Sequence, residues 1–328
     1  MSKNLSPLSV GLWAGACAGG VAAIAYAGAC FALYSIQTKL IYRPLPQIVK
    51  TPAEVGLAYE DIWIPIRQTG PCSNKAEQTS ETKQNEPSYL HAWWIPNPRS
   101  SRVMLFCHGN YGNISYNTER IRFHHAQGCS VLAFDYRGYG QSSGPIPSEQ
   151  TVFADVEAAF SYLIAERKIS PSNITVSGHS MGGAVAIDLA SRHPDIDRLI
   201  VESSFTTMKD EVESKRIYSL FPIEALLTEP FDSFSKVRTL QMPVLYVHGD
   251  QDFDVPVRFS HQLYAATPGP KRIFIARGAD HNMNTLSGDA YAAVLRDFYQ
   301  VSDRTAQSTS QPAIQPAIQP VAQLQLAQ

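Results

Sequence analysis

Apolar and polar positions along the chain fall into three regimes. From Asn4 to Thr38 there is no charged residue, and Val10 to Ile36 is built from Ala, Gly, Leu, Val, Ile and aromatics. That run exceeds the roughly 20 residues a membrane-spanning helix needs. From Tyr59 to Tyr299 short apolar runs alternate with amphipathic segments. Tyr59–Ile66, Tyr89–Ile95, Val103–Cys107, Val131–Phe134, Ile174–Ser177, Leu199–Val201, Val244–Val247 and Arg272–Ile275 read as strands. Helical periodicity marks Ile114–Gln127, Asp289–Tyr299 and Thr151–Arg167, the last with Phe153, Val156, Phe160 and Leu163 on one face. Continuous apolar strands such as Val103–Cys107 suit a parallel sheet buried on both faces. The third regime, Ser302 to Gln328, carries a Gln-Pro-Ala-Ile repeat and reads as disordered, since proline at that frequency joins neither helix nor sheet.

This pattern predicts an α/β class with a mostly parallel central sheet and helices on both faces, preceded by one N-terminal transmembrane helix. The expected organisation is an anchor over 1–38, a catalytic domain over 39–300 and a disordered Gln/Pro/Ala tail over 301–328. Two segments interrupt the alternation. Gln68 to Ser88 is polar and reads as a disordered hairpin insertion. About 206–239 carries Ile217, Leu220, Phe221, Ile223, Leu226 and Leu227 at helical spacing, broken by Pro222 and Pro230. It reads as short lid-like helices over the end of the sheet.

Charge and cysteine usage narrow the picture. With 27 Lys and Arg against 29 Asp and Glu the net charge is −2, which gives no basis for binding nucleic acid. Cys17, Cys30, Cys72, Cys107 and Cys129 form no CxxC pair, so neither a disulfide framework nor a zinc site is expected. At the N-terminus, a cleavable signal ending at Ala25-Tyr-Ala27 and a lipidated Cys30 compete with an uncleaved anchor. The length of the apolar run favours the anchor. Lys39, Arg43 and Lys50 after it, against Lys3 before it, point to a cytoplasmic catalytic domain. Gly11, Gly15 and Gly19 share one helix face and offer a homodimer contact.

The chemistry concentrates at strand ends. Gly178-His179-Ser180-Met181-Gly182 lies between a β-branched strand and a small-residue helix, the setting of a nucleophile elbow. Gly138-Tyr-Gly140 after another strand lacks the third glycine of a dinucleotide fingerprint, since position 143 is Ser143, and Pro145 and Pro147 follow. Asp250, Asp252 and Asp254 resemble the start of a calcium loop, but Val255 and His261 stand where glycine and glutamate are needed. No cofactor and no metal are expected.

Strand ends in a parallel sheet collect functional residues. His108-Gly-Asn110, Ser180, Asp252 and His281 sit at four of them, in the order Ser…Asp…His. A serine hydroxyl needs a base to become a nucleophile; His281 takes its proton and returns it to the leaving group. An aspartate holds the imidazole, and spacing alone does not choose among Asp250, Asp252 and Asp254. The oxyanion needs two backbone donors: the N–H of Met181, and that of Asn110 with Tyr111 as the alternative. His108 and His179 read as structural.

These residues resemble the α/β-hydrolase superfamily and, more narrowly, the Bem46/YfhR-type group of membrane-anchored serine hydrolases. The matching pieces are Leu40-Ile-Tyr-Arg-Pro44, His108-Gly-Asn-Tyr-Gly-Asn113, Phe134-Asp-Tyr-Arg-Gly-Tyr-Gly-Gln-Ser142, Gly178-His-Ser-Met-Gly-Gly183, Pro243-Val-Leu-Tyr-Val-His-Gly249 and Gly278-Ala-Asp-His281. The resemblance implies an α/β-hydrolase fold, Asp252 as the triad acid, and esterase or acyl-thioesterase activity on a small-molecule or lipid-like acyl substrate. The 68–88 insertion, the tail and Tyr111, where a small residue is usual, depart from the group. Tyr111 is expected to narrow the acyl pocket. The competing readings are a serine peptidase of the same fold and an inactive membrane-tethered interaction protein. Epoxide and haloalkane hydrolysis are excluded, because they need a carboxylate where Ser180 stands.

Overall fold

The structure, a computed structural model, describes residues 7–66, 88–283 and 288–309. Of the expected insertion only Ser88 is described, where it opens a strand; the Gln-Pro-Ala-Ile repeat lies outside the described residues. Eight strands form one sheet: β1 (Glu60–Ile66), β2 (Ser88–Ile95), β3 (Val103–Cys107), β4 (Ser130–Phe134), β5 (Ile174–His179), β6 (Arg198–Glu202), β7 (Val244–Gly249) and β8 (Lys271–Ala276). Their spatial order is β1-β2-β4-β3-β5-β6-β7-β8. β1 and β2 pair antiparallel, as do β2 and β4; every other pairing is parallel. The reversal of order around β3 and β5 is a switch point, where ligands of such sheets bind at the carboxyl ends.

β3 shows why the parallel strands read as unbroken apolar runs. Val103, Leu105 and Cys107 join one core, while Met104 and Phe106 join the other. On the first face lie α3 (Glu149–Ala165), α4 (Met181–Arg192) and α8 (Arg258–Ala266). On the second lie α2 (Thr118–Ala126) and α9 (Gly288–Thr309). Ser148 caps α3, its side chain accepting from Thr151 N, a contact worth about 1 kcal/mol. α9 continues past the Tyr299 end and into the span assigned to a disordered tail, because 300–309 hold neither proline nor glycine.

α1 (Pro7–Ile41) contains the apolar run, and Gly19–Ile41 is long and apolar enough to cross a membrane. The helix outruns the expected anchor boundary by three residues, and its last turns pack against the catalytic domain. The 206–239 segment forms α5 (Met208–Ser214), a 3-10 turn at Arg216–Leu220, α6 (Ile223–Leu226) and α7 (Ser233–Lys236). Gln37 of α1 donates to Leu226 O at 3.0 Å and accepts from Thr228 N at 2.9 Å.

Candidate active site

β5 runs buried along its whole length and delivers Ser180 at a sharp turn. Ser180 takes φ 56° and ψ −123°, a conformation that costs a non-glycine residue about 1–3 kcal/mol. Its neighbours hold it there. Ser180 N donates to Glu202 O at 2.9 Å, and its carbonyl accepts from Gly183 N at 2.9 Å and Ser204 Oγ at 2.8 Å. The flanking glycines are obligatory for space: a Cβ on Gly178 would stand 2.0 Å from Gly182 O, and one on Gly182 2.1 Å from Cys107 O. α4 begins at Met181, so the Met181 N–H belongs to the unpaired first turn of that helix.

The loop after β7 presents the three aspartates, and their roles separate. Asp250 Oδ1 accepts from Gly278 N at 2.6 Å. The Asp254 carbonyl accepts from Lys215 Nζ. Asp252 meets the histidine: His281 Nδ1 lies 2.8 Å from Asp252 Oδ2. Asp252 Oδ1 accepts from Asp254 N at 2.9 Å and Val255 N at 2.7 Å, and His248 Nε2 approaches Oδ2 at 3.1 Å. Burial alone would raise the Asp252 pKa. Hydrogen bonds from His248, His281 and the Val255 N–H outweigh it and hold the carboxyl well below the usual carboxylate range.

Asn110 closes the site from the loop after β3. Its side chain donates to Ile41 O at 2.7 Å, and its carbonyl accepts from Arg43 N at 2.9 Å and Tyr139 Oη at 2.8 Å. The peptide is thus pinned to the end of α1. Asn113 fastens the same loop, donating to Leu45 O and Gln47 O, each at 2.8 Å. His108 is fully buried beside the Tyr136 and Tyr139 rings, its Nδ1 2.7 Å from Gly109 O and its Nε2 3.4 Å from Asp135 Oδ1. His179 Nε2 donates to His281 O at 2.9 Å. Burial, then the charges of Arg120 and His281, push its pKa well down, so it stays neutral. Both histidines therefore hold backbone around the site.

Two cavities meet at Ser180. One, of about 490 Å³, is roofed by α1, α5 and α6 through Leu33, Leu40, Met208, Val212, Ile223 and Leu226. The other, of about 670 Å³, is lined by Arg120, Arg122, Glu119 and Asn117 among others. Asn110, Tyr111, Ser180, His281 and Asn282 face both. Tyr111 thus stands at the junction of the two, half exposed, its ring under the Arg43 guanidinium at 5.2 Å.

One part of the site had no signal in the motifs. Glu202, at the carboxyl end of β6 and paired in register with His179, is fully buried. Its carboxylate accepts from Arg120, from Tyr291 Oη at 2.6 Å and from His124 Nε2 at 3.1 Å. Arg120 also donates to Asn282 O at 3.0 Å. Burial would raise the Glu202 pKa, but the Arg120 charge and the His124 bond depress it strongly. This network ties the Ser180 turn to the His281 loop from below. A charged residue ending the apolar Leu199–Val201 run was the available clue for Glu202; Arg120 had none, since it reads as a surface position on a polar helix.

A family model for the alpha/beta hydrolase fold matches residues 102–219. The chain is 31% identical over 279 residues to the protein bem46 of Schizosaccharomyces pombe, covering 83% of this chain and 88% of that one. It is 30% identical over 279 residues to an uncharacterized membrane protein, YNL320W, of Saccharomyces cerevisiae, covering 81% and 89%. Among solved structures, the Pyrococcus furiosus esterase Pf2001 superposes with a TM-score of 0.62 at 20% identity, over 79% of this chain and 97% of that one. At that identity the likeness establishes the fold alone. The sheet order, the strained serine turn and the near full-length relatives together place this chain in the Bem46-like group of the α/β-hydrolase family.

Proposed function

We propose that the protein is a serine hydrolase that cleaves ester or thioester bonds of acyl substrates. Ser180 Oγ attacks the acyl carbon while His281 takes its proton. Asp252, ionised throughout the working pH range, holds the Nδ1–H of His281 and stabilises the imidazolium. The N–H groups of Met181 and Asn110 bind the oxyanion; one such donor is typically worth on the order of a hundredfold in rate. His281 then protonates the leaving group, and the acyl-enzyme is released by water activated by the same histidine. The observation that carries this reading is the strained Ser180 turn opening onto the same cavities as His281, whose Nδ1 lies 2.8 Å from Asp252 behind it. The cavity of about 490 Å³, walled by Leu33, Leu40, Met208, Val212, Ile223 and Leu226, suits an acyl chain, and the one that Arg120 and Arg122 line suits a leaving group.

Labelling by a fluorophosphonate probe in membranes tests this. Wild type is expected to label and Ser180→Ala to lose the label entirely. A folded, membrane-inserted wild type that does not label would overturn the reading in favour of a tethered interaction protein.

A further inference from the structure

The roof of the apolar cavity and the anchor helix are one surface. Tyr26 Oη donates to Leu220 O at 2.9 Å, and the Tyr26 ring stacks on Phe221 at 5.9 Å. Gln37 bonds the chain on both sides of Leu227, and Tyr42 Oη donates to Glu229 at 2.8 Å. The 216–229 segment therefore follows α1 from Tyr26 to Tyr42, about 24 Å along the helix at 1.5 Å per residue. Open backbone of this kind is not tolerated facing hydrocarbon. Gly19–Ile41 is apolar enough to cross, but the roof lying along its second half moves the crossing part of α1 towards the N-terminus, to end near Tyr26. Pro7 to Tyr26 supplies about 20 residues, or about 30 Å, which is a full span.

This register puts the membrane boundary beside the roof. There the roof exposes large apolar side chains that nothing in the fold covers: Ile217 at 72% and Leu220 at 75%. The adjoining half of α1 exposes Phe31 and Tyr34 in the same way. Arg216, beside Ile217, is exposed as well, where a cation with an apolar stem meets lipid phosphate. Leu33, Gln37 and Leu40 of α1 line the cavity that reaches Ser180.

We propose that the 216–221 edge of the roof inserts into the interfacial layer of the same bilayer that α1 crosses, and that acyl chains reach Ser180 from the lipid between α1 and this edge. The occupant of the apolar edge is a lipid surface, because it continues the surface of a membrane-crossing helix. The substrate class that follows is a bilayer-resident amphiphile; this part rests on the hydrolase reading above.

Two arms test the proposal on the full chain in phosphatidylcholine vesicles. In a background with Cys17, Cys30 and Cys72 replaced by alanine, an environment-sensitive fluorophore is attached at Leu220→Cys or at Ser172→Cys, an exposed turn at the opposite end of β5. The label at 220 is expected to shift to the blue and to be quenched by doxyl lipid, and the label at 172 to do neither. Equal, water-like behaviour at both sites would overturn the membrane contact, whatever the enzyme's activity. In the second arm Leu220→Asp is expected to raise KM for a long-chain p-nitrophenyl ester held in the vesicles by about tenfold, with hydrolysis of soluble p-nitrophenyl acetate unchanged. Equal loss on both esters, or no loss on either, would overturn access from the bilayer. A wild type that turns over neither ester removes the hydrolase reading and leaves the labelling arm to decide the contact.

Discussion

The sheet end and the roof face each other across Ser180, and they are built on opposite terms. At the sheet end the two buried carboxylates near Ser180 are each held by several partners: Glu202 by Arg120, His124 and Tyr291, Asp252 by His248 and two backbone N–H groups. The roof is made of helical turns of four to seven residues, interrupted by prolines, with Ile217 and Leu220 left in the open. Isolated turns that short have little stability of their own, so their position depends on α1. The contrast separates tasks. Chemistry needs groups that do not reorganise during the reaction; an acyl-binding wall needs only shape and apolar surface.

The largest effect that would sharpen this contrast is at the carboxylate that holds His281. Asp252→Asn keeps the geometry but disturbs the tautomer of His281, and kcat is expected to fall about 10⁴-fold with thermal stability nearly unchanged. A fall below tenfold would mean that the sheet end is less committed to catalysis than its geometry implies.

Next comes Arg120→Ala. It leaves the Glu202 carboxylate buried without its cation, which costs about 3–5 kcal/mol of folding stability. Chemical denaturation measures that loss. A variant as stable as wild type would show that the network below the nucleophile is loose.

Gly182→Ala is expected to cost about 3 kcal/mol, because its Cβ would enter the space of the Cys107 and His108 carbonyls, 2.1 and 2.4 Å away. Wild-type melting in this variant would mean that the turn can shift, against the rigidity ascribed to it.

The smallest effect lies in the roof. Burial raises the Glu211 pKa to about 7 despite its ion pair with Lys215. For a carboxyl with a raised folded-state pKa, the folded state holds its proton longer than the unfolded chain. Its penalty is therefore absent below the unfolded value of about 4.5 and grows as pH rises to 7. Glu211→Gln is expected to stabilise the protein by about 2 kcal/mol at pH 8 and to change nothing at pH 4. Melting at the two pH values decides it; an equal shift at both would assign the effect to packing.

The fold was legible because a sheet buried on both faces writes itself as apolar runs, and β3 does so residue by residue. The Ser180 turn was legible for a related reason: its backbone admits only glycine at 178 and 182, so the constraint sits in adjacent positions. Which aspartate meets His281 was not legible from spacing, since Asp250, Asp252 and Asp254 lie on one loop. The fold separates them by handing Asp250 to Gly278 N and Asp252 to His281. Arg120 beneath Glu202, Asn110 latched to the last turn of α1, and the roof following α1 back to Tyr26 were invisible in the chain. Each joins residues from 69 to 194 positions apart. Local sequence determines what backbone and side-chain periodicity can express within one element. Pairings between distant elements are decided only when packing brings their surfaces together.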